Sequence, residues 1–209
     1  MRRSNKLGAV ALATAGALFL LYPAVRPWHD ESTVDGAVAS MGSGAWVASH
    51  AFAMAGFVLA ALGLLALRDA VTGRLATAAT VTTWAGAGLV LPYYGAEDFG
   101  LHALARRYAD GERFDLLAAV DAVRYQPVAA TMFGVGLLAL AAGGVLAALA
   151  VRRSGTMSRH GGLLFGLGLL LFLPQFFTPA PVRVAHGALL AAGCVWLAAA
   201  LWQARTPRR

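Results

Sequence analysis

AWVASHAFAMAGFVLAALGLLALRD, residues 45–69, runs 23 residues without Asp, Glu, Lys or Arg before closing on Arg68-Asp69. About 20 helical residues cross the roughly 30 Å hydrocarbon core of a bilayer. This run is therefore long enough to span, and its only histidine, His50, falls near its start. Five further runs read the same way: 7–25, 75–96, 127–151, 161–177 and 184–202, with His186 as the single histidine among them. Backbone polar groups in lipid must be satisfied within the segment, and none of the runs alternates as barrel strands do, so each is expected to be a helix.

The expected fold is all-α, a polytopic membrane protein over residues 1–209 with six transmembrane helices arranged as three hairpins. The composition agrees. Of 209 residues 59% are hydrophobic and 13% charged, with a mean hydropathy of +0.65, where soluble domains carry roughly 25% charged residues. MRRSNK before the first run also has the shape of a signal peptide. A retained span is expected, because Tyr22-Pro23 offers no small-x-small cleavage site.

The net charge of +7 does not point to nucleic acid, because it is distributed by topology. With a cytoplasmic amino terminus, segments 1–6, 68–74, 152–160 and 203–209 hold eleven of the 17 basic residues and one acid, Asp69. The opposite segments hold nine of the ten acids. Short loops biased in this way set orientation, so both termini are expected in the cytoplasm. Sixteen arginines to one lysine suit a GC-rich bacterial genome, and a bacterial plasma membrane is the expected location. Cys194 stands alone, which excludes an internal disulfide or a CxxC site.

Each expected hairpin opens with a helix that has a proline near its outer end: Pro23, Pro92 and Pro174. Proline removes an amide donor and kinks or ends a helix. VASHAFAMAG at 47–56 and VRVAHGALLAAG at 182–193 read as a weak repeat that brings His50 and His186 to one depth. Glycines such as Gly134, Gly136, Gly143, Gly144, Gly162 and Gly166 suit close helix packing, and the same faces would suit a homo-oligomer. Between the third and fourth runs, 97–126 is expected to be partly helical. One piece continues past Pro92 to about Tyr108. Another places Leu116, Val120 and Val123 on one face.

The chemistry gathers in LPYYGAEDFGLHAL, residues 91–104. On a helix Tyr94, Asp98 and His102 form one stripe, with Tyr93 and Glu97 in the next column. His50 and His186 lie at the same outer end, and Tyr125 and Gln126 enter the fourth span there. His29, Asp30 and Glu31 read as a solvated loop. The expected site is an outward-opening pocket whose walls include His50, Tyr94, Glu97, Asp98, His102 and His186. Glu97, Asp98 and His102 would be its acid–base groups. Tyr93, Tyr94, Phe99, Trp46, Tyr125 and Gln126 would line it. Protonation-initiated cyclisation or isomerisation of an isoprenoid-type molecule would use these parts and needs no cofactor. The alternative reading makes His50 and His186, with His102 and Glu97 or Asp98, ligands to a divalent metal, or makes His50 and His186 the axial pair of a haem. A third reading is a non-catalytic subunit or lipid-binding scaffold. A proton-coupled transporter is disfavoured, since no span has an ionisable residue at its centre. Over its whole length the chain resembles, in layout, uncharacterised six-span bacterial membrane proteins. No diagnostic motif carries that resemblance, so it assigns no residue a role.

Overall fold

A computed structural model describes residues 2–155 and 157–204, the side chains of Arg2 and Arg3 excepted. The basic residues Arg205, Arg208 and Arg209 of the expected inner tail lie outside the described residues. Every described element is helical. In chain order they are α1 (Arg2–Val25), α2 (Val34–Met41), α3 (Gly44–Val71) and α4 (Arg74–Gly95), then a π-turn (Ala96–Gly100) leading into α5 (Leu101–Ala109). They continue with α6 (Leu116–Arg124), α7 (Pro127–Ser154), α8 (Arg159–Leu170), a 3₁₀ turn (Pro174–Phe177) and α9 (Ala180–Gln203).

Among the described residues five helices are long and apolar enough to cross a membrane: Ser4–Val25, Gly44–Val71, Arg74–Ala109, Pro127–Ser154 and Ala180–Gln203. The fifth run, 161–177, expected as one span kinked or ended near Pro174, is not a single continuous helix. α8 stops at Leu170, and Leu171–Leu173 turn before the 3₁₀ piece begins. The reason is Pro174, whose ring occupies the space of the carbonyl four residues earlier and which offers no amide to bond it. That carbonyl belongs to Leu170. Pro23 and Pro92 are instead held inside α1 and α4.

Close contacts fix the arrangement. Gly8 packs against Ala66, and Gly56 against Phe19, so α1 and α3 run antiparallel. Gly86 lies on Gly136 and Leu140, with α4 antiparallel to α7. Gly166 lies on Gly144, and Gly193 on Phe165, which continues the pattern through α8 to α9. Finally Gly16 meets Cys194, and Gly187 meets Phe19 and Leu20, so α9 returns to α1 and closes a ring. The glycines matter here through the side chain they lack. A Cβ added to Gly86 would stand 2.8 Å from both Gly136 O and Leu140 N, the kind of backbone approach that holds helices together in lipid. Gly162 and Gly166 are thus occupied by α7 of the same chain.

One end of the ring is capped. α2, α5, α6 and the start of α3 enclose a second small core of Ala37, Met41, Trp46, Leu101, Ala105, Leu116 and Val120. Leu116 and Val120 are buried there and Val123 packs beside them, as their common face predicts. Side chains cap the helix starts at this end. Thr33 accepts from Gly36 N, Ser43 from Trp46 N, Asp115 from Ala118 N and Gln126 from Ala129 N. Each such bond satisfies an amide that the helix itself leaves open. Arg68, Arg74, Arg152 and Arg159 lie at the opposite end, where α3 and α7 finish and α4 and α8 begin.

Candidate functional site

A cavity of ≈ 600 Å³ opens at the capped end, within the size range of small-molecule sites. The break in α8 contributes to its wall, because Leu173, Phe176 and Phe177 stand where a continuous helix would have run past. α1 supplies Tyr22, α3 His50, α4 Tyr93 and Tyr94, and α7 Ala130, Phe133 and Gly134.

The deep part is aromatic. The Tyr22 ring is 5.8 Å from both His50 and Tyr94, and Phe57 lies 5.7 Å behind Tyr94. Phe133 stacks on Tyr93 at 4.2 Å and meets Phe176 at 5.8 Å. His50 is 3% exposed, and its Nδ1 lies 2.9 Å from Trp46 O and 3.3 Å from Ser49 Oγ. The histidine is thereby tied to its own helix.

The mouth is charged and organised around Arg124. Its Nε donates to Glu97 Oε1 at 2.8 Å, and its Nη2 donates to Glu31 Oε2 at 2.7 Å and Glu97 Oε2 at 3.3 Å. Arg26 Nη2 donates to the other oxygen of Glu31 at 2.7 Å. An unbroken line Arg26–Glu31–Arg124–Glu97 results, with the last three side chains 13–20% exposed. Burial works against the Arg124 charge, but Glu97 and then Glu31 outweigh it and hold the guanidinium pKa above its ordinary value. Tyr93 Oη donates to Arg124 O at 3.1 Å and fixes the end of α6. Arg26 also lies 4.6 Å from the Trp28 ring and 4.9 Å from Trp46. Glu31 was expected in a solvated loop. It is half of the hub instead, because Arg26 and Arg124 approach it from two sides.

The adjacent carboxylates of the opening stretch part company. Glu97 lines the cavity, whereas Asp98 does not. Asp98 is 0% exposed, and neither carboxylate oxygen has a hydrogen-bond partner. The π-turn over 96–100 explains the separation, since it breaks the i, i+4 spacing on which the expected Tyr94–Asp98–His102 stripe depends. Tyr94 faces the cavity, while His102 Nδ1 lies 2.7 Å from Met41 O in the cap. Trp46 is buried and donates from Nε1 to Glu97 O at 3.1 Å, bracing the π-turn from outside the cavity.

Of the other expected lining residues, Tyr125 stands at the rim and 72% exposed. Phe99 is exposed away from the cavity, and Gln126 serves as the α7 cap. His186 bonds Gly168 O at 2.7 Å and borders a separate, far smaller void with Phe19 and Phe172. His50 and His186 flank α1 on opposite neighbours without sharing a cavity. Among the described residues no three His, Cys, Asp or Glu side chains come together as a metal site would require. The lining residues absent from the sequence-based expectation include Arg26, Glu31, Arg124 and Arg183 at the mouth and Tyr22 and Phe133 in the wall. The available signal was that Arg26, Arg124 and Arg183 each lie within a few residues of a span end.

No protein-family model, curated protein or solved structure matches this chain.

Proposed function

We propose that the protein crosses a bacterial plasma membrane six times with both termini cytoplasmic, and binds a lipophilic small molecule in the cavity at its outer end. The ≈ 600 Å³ aromatic-walled cavity carries the binding reading. For the topology, the antiparallel ring supports a sixth crossing by the broken segment 159–177, and the basic residues at the uncapped end support the orientation. Active alkaline-phosphatase fusions at 35 and 110, and inactive ones at 70 and 156, are the expected result. Strong activity at 70 or 156 overturns the orientation.

Acid–base chemistry on an isoprenoid-type substrate needs its carboxylates at one place. Glu97 reaches the cavity but is held by Arg124, and Asp98 does not line it, so a binding role is the reading the geometry supports better. Metal or haem ligation by His50 and His186 has less support, since each bonds a backbone carbonyl and they border different cavities.

Gly134 gives a clean test. It lines the cavity, and an added Cβ there meets nothing within 4 Å, so Gly134→Phe fills the space without clashing at its root. Native mass spectrometry should find a lipophilic molecule of defined mass on the wild type and none on Gly134→Phe. Identical lipid retention by both proteins overturns the reading.

A further inference from the structure

The charges at the cavity mouth do not balance. Three arginines, Arg26, Arg124 and Arg183, face two glutamates, Glu31 and Glu97. Both glutamates are engaged by Arg26 and Arg124. Arg183 is the remaining cation. Its Nε donates to Thr178 O and its Nη2 to Phe176 O, carbonyls at the end of the 3₁₀ turn. Its guanidinium lies 5.1 Å from the Trp28 ring and 5.8 Å from Phe176.

Ring faces steady a cation without neutralising it. A guanidinium has five N–H donors in a fixed fork that matches a carboxylate or phosphate. Two backbone bonds leave three of those donors. An arginine that is partly buried, fixed by its neighbours and without a carboxylate is costly at the end of an apolar bundle. It is also placed to receive an anion. Nearby aromatic walls from Tyr22, Tyr94 and Phe133 offer apolar surface in the same cavity.

We infer that the cavity takes an amphiphile with a single anionic head, a carboxylate or a phosphate, received by Arg183 while its hydrocarbon part lies on the aromatic wall. This rests on the binding reading above and names the class of ligand. One excess positive charge favours an anionic head over a neutral one. Arg26 and Arg124 stay committed to their glutamates, so Arg183 alone distinguishes an anionic head from a neutral one.

Purified full-length protein in uncharged detergent would be titrated with oleic acid, oleyl phosphate and oleyl alcohol, with bound ligand counted by native mass spectrometry. The expected result is at least about ten-fold tighter binding of one or both anions than of the alcohol. Arg183→Gln should bind the alcohol as the wild type does and lose the preference, and Arg183→Lys should keep part of it. The tighter of the two anions identifies the head as carboxylate or phosphate. Equal wild-type binding of all three, or an unchanged preference in Arg183→Gln, overturns the anion assignment and leaves the cavity reading standing. Binding of none of the three, or binding that Gly134→Phe does not diminish, overturns the cavity reading and this assignment with it.

Discussion

Replacing Arg124 with Gln removes the cation between Glu97 and Glu31 while retaining a polar side chain of similar reach. Glu97 then has no charged partner, and Glu31 keeps only Arg26. Truncating one side of a fully buried pair costs about 3–5 kcal/mol, mainly because a charge is left behind. An exposed pair is worth about 0–1 kcal/mol. Side-chain exposures of 20% for Arg124, 15% for Glu31 and 13% for Glu97 place this site nearer the buried limit, but water at the mouth reduces the penalty. About 2–3 kcal/mol is expected. For a chain of this length, that lowers Tm by roughly 5–10 °C, read by tryptophan fluorescence in one fixed detergent. Arg107→Gln is the control, since it breaks the bidentate but fully solvated pair with Glu112 and should leave Tm in place. The double variant Arg124→Gln/Glu97→Gln should recover part of the loss, because it also removes the stranded charge. If Arg124→Gln and Arg107→Gln shift Tm equally, or if the double variant is strictly additive, the hub does not hold the mouth together.

Five further substitutions probe the π-turn, the cap and the glycine contacts. Asp98→Asn removes a buried charge that has no donor and should leave Tm unchanged or raise it, whereas Glu97→Gln should lower it, both read in the same melt. Trp46→Phe deletes the indole donor to Glu97 O and leaves space in the cap core. A loss of about 2–3 kcal/mol is expected in a denaturation series. Gly193→Ala drives a methyl into the backbone of Leu164 and Phe165 and should prevent recovery of monodisperse protein, while Gly88→Ala, with open space around it, should be neutral or stabilising by up to about 1 kcal/mol.

The membrane helices were legible because charge is absent from them over spans of bilayer length, and an absence of that kind survives any detail of packing. The break in α8 was half legible. Pro174 was visible, but whether a proline kinks a helix or ends it depends on its surroundings, and Pro92 sits inside a continuous helix. The stripe of Tyr94, Asp98 and His102 assumed 3.6 residues per turn through a stretch where the helix widens. One π-turn was enough to send Glu97 and Asp98 to different environments. No local pattern announces that turn, because its support, Trp46, comes from another helix. Glu31 and Arg124 are 93 residues apart in sequence and 2.7 Å apart in space. Pairing of that kind is decided by the whole bundle and not by any window of residues.

The closure of the ring by α9 on α1 constrains how the chain can be made. In the finished fold α9 covers the side of α1 that carries Gly16 and Leu20, whereas Phe19 also packs on Gly56 and Phe57 of α3, so only that side waits for α9. α1 ends at Val25 and α9 begins at Ala180, so at about 5–20 residues per second the wait is some 10–30 s. Arg183 is among the last charged residues to be synthesised ahead of the final crossing, so the cavity gains the cation proposed to receive a ligand only with α9. A ribosome-bound intermediate stopped before residue 180 would hold the aromatic residues of the wall without Arg183.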